Sequence, residues 1–442
     1  MEVKEASAKY SDKTESICMH AYKQTEVGEI PVDWETSSLP NVIWFQEGPG
    51  LRNWQFKSRG LKVINVTNLQ EDGYLDLSKT ERHISWEEFE KTYKHFLIDD
   101  EDVVMASSGN SYCKTAVVRQ CDLPLLMNTS VIRYKAKPNF ARSYMLVYLK
   151  SKYFKYQIDL MITGGAQPNF GPAHLSRVII PHPPTKAEQE AVAKALSDTD
   201  ALVESIEQLI AKKRHIKQGV MQELLTGKTR LPGFGEDWEE KTFDEIFDFH
   251  STATNSRNDL DDEGDTFYIH YGDIHTRFHG HLDFKRDLPP RIDRGLCKNA
   301  TLLKNGDWVM ADASEDFCGV GKTIEISGLS GGVSAVSGLH TFLLRERDKT
   351  FELGFKGHLG NLKSLHEQYL RVATGMKVYG VSKAALKDLV LPVPEPKEQV
   401  AITAILSDMG AEITALETKL AKTRQLKQGM MRGLLTGRIR LV

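Results

Sequence analysis

The chain has 442 residues, with 57 Lys and Arg against 60 Asp and Glu and a formal net charge of −3. A composition of 40% hydrophobic and 26% charged residues is typical of a globular protein with two or three domains. The sequence has no run of ~20 apolar residues, no N-terminal stretch like a signal peptide, and no CxxC pair among its five cysteines. We therefore expect a cytoplasmic protein without a membrane partner or a disulfide framework.

The first predicted elements form a mixed α/β domain, residues 23–185, after an N-terminal tail, residues 1–22. The buried-type run VVMASS at 103–108 predicts a strand, and ARSYMLVYLKSKYFKYQIDLM at 141–161 predicts a helix. A proline-rich segment, PHPPTKAEQ at 181–189, predicts a hinge at the end of the domain.

A long amphipathic helix, residues 186–227, is predicted after this hinge. Its apolar residues recur three or four positions apart, which is typical of a coiled-coil seam. About 38 helical residues at 1.5 Å per residue span ~57 Å, which is too long for a domain of this size to cover. The predicted seam includes Leu196, Val203, Ile206, Ile210, Lys213 and Ile216.

The second half of the chain repeats this plan. Leu196–Leu231 and Leu406–Leu441 are identical at 18 of 36 positions when offset by 210. A second domain, residues 228–394, carries the strand patterns WVMADA and HTFLLRE and a predicted helix over 351–374. It ends in another proline hinge, followed by a second helix at 395–442. The second seam includes Leu406, Ile413, Leu416, Leu420 and Leu426.

This repeat predicts an α/β (mixed α+β) fold. If the two helices pair, the second must run antiparallel to the first, because the second domain connects the end of the first helix to the start of the second. We predict two globular domains joined by two long antiparallel coiled-coil helices in a pseudo-twofold tandem repeat.

No catalytic or metal-binding motif emerges from the sequence. The DFCGVGKT stretch at 316–323 lacks the first glycine of a phosphate-binding loop, and no HExxH or GxSxG motif is present. Histidines cluster at His270, His275, His279 and His281, but the segment is predicted as strand and turn, so solvated loop residues are the favoured interpretation. We therefore expect no metal and no bound cofactor.

The C-terminal part of each long helix is basic, with six Lys or Arg in residues 211–230 and six in residues 421–442. Cations at a helix C-terminus interact favourably with the helix dipole. Contact with nucleic-acid phosphates is the alternative. Charge alone leaves both interpretations open.

Taken together, these motifs resemble the specificity subunits of type I restriction-modification systems. The resemblance rests on the hinge ending in Glu-Gln, the heptad helix and KQG-x-M-x-x-L-L-T-G, all present in both halves, and on TGGAQPNFG at 163–171. It extends from about Gln24 to the end of the chain. The second half has TGMKVYG at 374–380 without the Gln-Pro-Asn element.

The resemblance implies that each domain is a target recognition domain that reads one half of a bipartite, asymmetric sequence in double-stranded DNA. It implies that the helices fix the unread spacer and dock two modification (methyltransferase) subunits and, through them, two restriction subunits. S-adenosylmethionine, ATP and Mg would be bound by those partners, and this chain would not be an enzyme. A structural coiled-coil adaptor without DNA specificity is the alternative.

Polar loop residues are the candidates for base contact, because Asn, Gln, Arg and Lys side chains read base edges. The predicted contacts are Ser108, Asn110, Gln167 and Asn169 in the first domain and Ser314, Lys322, Lys377 and Tyr379 in the second.

We predict that Gln167→Ala weakens binding to one half-site by ~1–3 kcal/mol and leaves the other unchanged. A binding titration with each half-site altered in turn measures this. An equal loss at both half-sites would refute the assignment.

Overall fold

The computed structural model describes residues 21–78, 80–162, 168–375 and 377–441. The chain divides into two compact units, Met1–Ile206 with Leu420–Val442 (unit 1) and Glu207–Lys419 (unit 2). Each unit therefore contains one globular domain together with part of both long helices.

Unit 1 contains eleven short strands among its described residues. They are β1 Tyr22–Thr25, β2 Gly28–Pro31, β3 Glu35–Ser38, β4 Ile43–Glu47, β5 Leu61–Ile64, β6 His83–Ile84, β7 Val103–Ala106, β8 Thr115–Val117, β9 Leu125–Met127, β10 Val131–Ala136 and β11 Ile179–His182. The helices that begin in this unit are α1 Leu39–Val42, α2 Trp86–Glu88, α3 Arg142–Leu149, α4 Lys152–Met161, α5 Pro172–Leu175 and the long α6 Lys186–Leu225.

The central sheet of unit 1 has the strand order β4-β10-β7-β8, with antiparallel pairing throughout. Its strand β7 is buried along its whole length, which explains the unbroken apolar run in the sequence. A second sheet, β6-β5-β9, contains the parallel pair β5–β9. Helices α3 and α4 cover the central sheet, where Tyr144, Tyr148 and Phe154 are fully buried.

Unit 2 contains twelve strands among its described residues. They are β12 Glu239–Thr242, β13 Phe247–His250, β14 Thr266–Ile269, β15 Gly280–Asp283, β16 Arg291–Ile292, β17 Trp308–Ala311, β18 Ala313–Ser314, β19 Thr323–Ser327, β20 Ala335–Ser337, β21 Thr341–Glu346, β22 Tyr379–Gly380 and β23 Val390–Val393. The helices that begin here are α7 Phe243–Ile246, α8 Tyr271–Thr276, α9 Phe355–Leu359, α10 Lys363–Val372, α11 Lys383–Lys387 and the long α12 Pro396–Leu434.

The sheets of unit 2 reproduce those of unit 1. The order β13-β21-β17-β19 matches β4-β10-β7-β8, and β16-β14-β20 matches β6-β5-β9, including its parallel pair. Strand β15 extends the larger sheet in unit 2.

A glutamine contact also recurs in the two units. The Gln157 side chain forms hydrogen bonds with the backbone N–H and C=O of Ile179, and the Gln368 side chain forms the same two bonds with Val390. The predicted repeat is therefore a repeat of topology as well as of sequence.

Three local predictions were wrong. The helix expected over 141–161 is broken between α3 and α4, because Ser151 caps a new helix by accepting a hydrogen bond from the Phe154 N–H at 3.3 Å. The helix expected over 351–374 is likewise divided into α9 and α10, next to Gly360, a poor helix former. The histidine segment, expected as strand and turn with solvated histidines, contains helix α8, and His270 just before this helix is buried.

Within each unit the two long helices run antiparallel. In unit 1, the Thr199 hydroxyl lies 3.5 Å from Met430 Sδ, and Asp200 forms an ion pair with Lys427. In unit 2, Lys213 lies 2.7 Å from Glu412 and Arg214 lies 2.5 Å from Glu417. In unit 1 the partner number falls from 430 to 427 as the residue number rises from 199 to 200. In unit 2 it falls from Glu412, opposite Lys213, to Glu398, opposite Arg230, and a falling partner number is the signature of antiparallel pairing.

Most of the predicted seam faces the partner helix or the domain core. Leu196, Ile206, Ile210, Leu406 and Ile413 are buried, and Val203, Leu416 and Leu420 are partly buried. Ile216 and Leu426, however, are 41% and 59% exposed, so their assignment to the seam was wrong.

After Lys213 the next residue of the seam lies four positions further along the helix. The predicted register placed it three positions further, at Ile216. Lys217 and Lys427 are partly buried instead. The reason is that a 3.6-residue helix drifts away from a 3.5-residue repeat.

The tail of each long helix binds the start of the other. In unit 1, Arg440 makes two hydrogen bonds to the Glu188 carboxylate, at 2.5 and 2.9 Å. In unit 2, Arg230 makes two to Glu398, at 2.9 and 2.8 Å. We call each of these the helix-tail clamp. These contacts explain why the same basic helix ending occurs twice in the sequence.

A left-handed glycine allows each tail to turn into its clamp. Gly227 and Gly437 have φ values of +67° and +70°, a region that favours glycine. A side chain at position 437 would also approach Pro31 to 2.5 Å and Trp34 to 3.0 Å. The glycine repeated at the two helix endings is therefore required by backbone geometry and, at position 437, also by close packing.

Candidate nucleic-acid interface

In unit 1, the loop after strand β7 meets the segment before helix α5. Ser108 and Asn169 form an antiparallel backbone bridge, and the Gly109 N–H donates to the Pro168 carbonyl at 3.0 Å. Two of the predicted base-contacting residues, distant in sequence, thus lie side by side. Asn110 is exposed in the next turn, whereas Gln167 lies outside the described residues. We call this region tip 1.

Tip 1 is fixed to the central sheet by backbone hydrogen bonds. The Ser107 N–H donates to the Ser130 carbonyl at 2.9 Å, and the Phe170 N–H donates to the Ser107 carbonyl at 3.0 Å. The Phe170 ring is 1% exposed and anchors the segment in the core. These contacts place small polar side chains on a rigid support, as recognition sites require.

Unit 2 has an equivalent region, which we call tip 2. Strands β18 and β22 pair so that Ser314 lies opposite Tyr379. The supporting bonds recur, since the Asp312 N–H donates to the His340 carbonyl at 3.1 Å and the Val381 N–H donates to the Asp312 carbonyl at 3.0 Å. The two tips therefore share a backbone framework but carry different side chains.

The predicted contacts of tip 2 differ in their availability. Ser314 is buried, and its hydroxyl accepts a hydrogen bond from the Asp316 N–H at 3.2 Å, so it supports the loop. Lys322 is half-buried, and its Nζ donates to the His275 carbonyl at 3.1 Å. Lys377 is exposed and Tyr379 is partly exposed, so these two are better placed for an external ligand.

Phe317 is a surface feature of tip 2 that the sequence prediction missed. Its ring stacks on Tyr379 with centroids 4.0 Å apart and an interplanar angle of 28°, yet Phe317 is 54% exposed. Exposed aromatic rings can stack on nucleobases. The available signal was an aromatic residue in the glycine-flanked stretch DFCGVGKT, which was considered only as a phosphate-binding loop.

Many basic residues of the helix ends are engaged in ion pairs. Lys213, Arg214, Lys427, Arg230 and Arg440 each contact a carboxylate within their own unit. These five residues therefore have a structural role through ion pairs, and the helix-dipole and phosphate interpretations of the sequence stay predictions.

The described residues contain no group of three or more His, Cys, Asp or Glu that could hold a metal ion. In the histidine segment, His275 Nε2 lies 2.9 Å from the Ala313 carbonyl oxygen and helps to hold tip 2. Nor does any helix in the described part of the chain have the length and apolarity needed to cross a membrane.

Comparison with known proteins relates both halves to one family. The type I restriction modification DNA specificity domain matches residues 31–212 and again residues 235–427. The type I restriction enzyme MjaX specificity subunit of Methanocaldococcus jannaschii is 24% identical over 440 residues, covering 95% of this chain and 97% of that protein. The MjaVIII specificity subunit of the same organism is 27% identical over 215 residues, which is 48% of this chain and 50% of that protein.

Solved structures show the same fold. A chain from a type I R-M system, described for its complex assembly and conformational transition, has a TM-score of 0.58 at 17% identity and covers 93% of this chain and 99% of its own. The type I restriction-modification S subunit from M. genitalium has a TM-score of 0.52 at 15% identity and covers 91% of this chain and 96% of its own. Because the family match spans most of both halves, the chain belongs to the type I restriction modification DNA specificity domain family.

Proposed function

We propose that this chain is the DNA specificity subunit of a type I restriction-modification complex. Unit 1 reads one half of a bipartite, asymmetric target in double-stranded DNA and unit 2 reads the other. The observation that carries this proposal is the pair of tips, built on one backbone framework with different side chains. Two different readers in one chain suit a target whose half-sites differ in sequence.

The long helices have two roles in this proposal. They set the spacing between the half-sites, and their surfaces dock two modification (methyltransferase) subunits and, through these, two restriction subunits. Those partners bind S-adenosylmethionine, ATP and Mg and carry out the chemistry, so this chain contributes recognition alone. The complex acts on DNA in the cytoplasm.

Selection from a randomised library of DNA duplexes tests this proposal. The full chain is expected to enrich a motif with two specified blocks separated by an unspecified spacer of fixed length. A coiled-coil adaptor without DNA specificity would bind no duplex above background. Enrichment of a single uninterrupted block would also contradict recognition by two separate units.

We predict that lengthening helix α6 lengthens the spacer. Four residues inserted after Ile206 add about 6 Å of helix, close to two base-pair steps. Because Asp200–Lys427 and Lys213–Glu412 fix the register on either side, the matched variant carries a second insertion of four residues after Lys419. Duplex selection measures the spacer, and an unchanged spacer in binding-competent variants would contradict this role.

A further inference from the structure

Both units have a small sheet with one parallel strand pair. Strands β5 and β9 in unit 1, and β14 and β20 in unit 2, end at the same edge of their small sheet. The residues that follow parallel strands gather at this edge, which is a common place for ligand sites in α/β folds. In unit 1 those residues are Asn65 and Asn128.

This edge is connected directly to the tips. Ser130, two residues beyond Asn128, accepts the Ser107 N–H bond that fixes tip 1, and His340 accepts the equivalent bond from Asp312. The edge and the tip of each unit are therefore neighbouring parts of one surface, and a duplex that contacts the tip lies close to the edge.

In unit 1 the edge forms an open polar cavity of about 390 Å³. Its lining consists mainly of polar side chains, among them Asn65, Thr67, Asn68, Arg82, Asn128 and Ser130. Amide and hydroxyl groups are the side chains that read base edges by hydrogen bonding. The chemistry of this cavity thus suits a nucleobase better than an apolar ligand.

Hydrogen bonds within the cavity single out Asn65. The Asn68 amide is used internally, since its Nδ2 donates to the Asp76 carbonyl and to the Thr80 hydroxyl. Asn128 is used as well, because its Nδ2 donates to Asn65 Oδ1 at 2.8 Å and its Oδ1 accepts from the Thr129 N–H at 2.9 Å.

The bond from Asn128 fixes the orientation of the Asn65 amide. It occupies one lone pair of Asn65 Oδ1. The second lone pair and both Nδ2 protons remain available to a ligand. The partly exposed Asn65 has no hydrogen-bond acceptor for Nδ2 among the residues described. One acceptor and one donor from the same amide match the N6 amino group and N7 of adenine in the major groove.

The equivalent positions in unit 2 carry different chemistry. His270 and Gly338 follow β14 and β20, where unit 1 has the two asparagines. The His270 Nδ1 accepts the Gly272 N–H at 3.1 Å, so that nitrogen is used to cap helix α8. The amide pair is thus absent from this edge in unit 2, and an adenine read by it would belong to one half-site alone.

We propose that Asn65 reads an adenine in the half-site of unit 1 and that Asn128 is the positioning residue that orients its amide. This inference deepens the proposed function and rests on it, because it assumes that unit 1 binds DNA. Asn65 accepts from adenine N6 through Oδ1 and donates to N7 through Nδ2. Asn128 holds the Asn65 amide in that orientation without contacting the base.

Duplex selection with the full chain and its variants tests this assignment. Asn65→Ala is expected to reduce the preference for adenine at one position of one half-site by roughly 5- to 150-fold, with the other half-site unchanged. Asn128→Asp can only accept a hydrogen bond from Asn65, so it turns the amide over and weakens adenine preference at the same position. The other positions of the unit 1 half-site serve as the internal measure of folding. Asn139→Ala, at an exposed asparagine beyond the far end of strand β10, is the matched control.

The outcomes separate the two claims. No bipartite motif with the wild-type chain would overturn the proposed function. A bipartite wild-type motif that is unchanged in both Asn65→Ala and Asn128→Asp would overturn only the assignment of Asn65. Loss at the same position in Asn65→Ala but not in Asn128→Asp would overturn the positioning role of Asn128.

Discussion

Replacing Glu188 by alanine is expected to lower the free energy of unfolding of unit 1 by about 3 kcal/mol. Glu188 and Arg440 are both largely buried, and removing one partner of such a pair leaves the other charge without compensation. In this variant Arg440 keeps its contact with Asp33 at 2.9 Å. The expected loss is therefore at the lower end of the range found when one partner of a buried ion pair is removed. Urea unfolding of the full chain measures the change.

The repeat supplies matched variants for this experiment. Glu398→Ala removes the equivalent carboxylate in unit 2 and also the acceptor of the Trp238 indole N–H, at 2.8 Å, so its effect should be at least as large. Glu190→Ala alters an exposed residue of the same helix and should stay within about 0.5 kcal/mol of the wild type. If Glu188→Ala costs no more than Glu190→Ala, the helix-tail clamp does not stabilise the unit.

Mild acid is expected to destabilise unit 2 through two histidines, the buried His358 and the partly buried His281. The rings of His281 and His358 lie 4.6 Å apart, and neither Nε2 atom has a hydrogen-bond partner among the described residues. Burial lowers the pKa of His281 to about 4, with a smaller contribution from the nearby charge of Lys217. The pKa of His358 is lowered to about 3, mainly by burial and then by the nearby charges of His281 and Lys217.

The sign of the effect follows from proton uptake. An unfolded histidine has a pKa near 6.5, so below that pH the unfolded chain binds protons that the folded chain does not. The stability contributed by the neutral pair is complete above about pH 6.5 and is lost as the pH falls towards 4. Between pH 7 and pH 5 the loss is on the order of 3 kcal/mol for the two groups together.

Unfolding measured at pH 7 and pH 5 tests this prediction. His281→Asn and His358→Asn should each remove about half of the pH-dependent loss, whatever their effect on stability at pH 7. The exposed His215→Asn variant should keep the wild-type difference. Equal pH dependence in all four proteins would show that the histidine pair is not the source.

Periodicity and repetition made the large-scale fold predictable from sequence. Two long helices keep an apolar seam over many turns, so their existence followed from spacing alone, and their identity at half of the aligned positions revealed the repeat. Strands such as β7 and β17 were predictable because a strand buried on both faces has a continuous apolar run. The bonding roles of Arg230 and Arg440, in contrast, depend on which carboxylate lies opposite.

The candidate site was predictable only in outline. Loop composition pointed to Ser108, Asn169 and Tyr379, which the fold places at the two tips, and their contact with bases stays a prediction. It could not distinguish Ser314, whose hydroxyl is turned inwards, from an outward-facing serine. It gave no indication of Asn65, because the role we propose for that residue depends on a hydrogen bond from Asn128 at the end of a neighbouring strand.

The central claim is that two recognition units in one chain specify one bipartite DNA target. Single-molecule mapping of N6-methyladenine in the source genome, with this gene intact and with it deleted, tests that claim most directly. We expect deletion to abolish methylation at one motif with two specified blocks and a fixed spacer. Identical methylation maps from a strain that expresses the chain and from the deletion strain would contradict it.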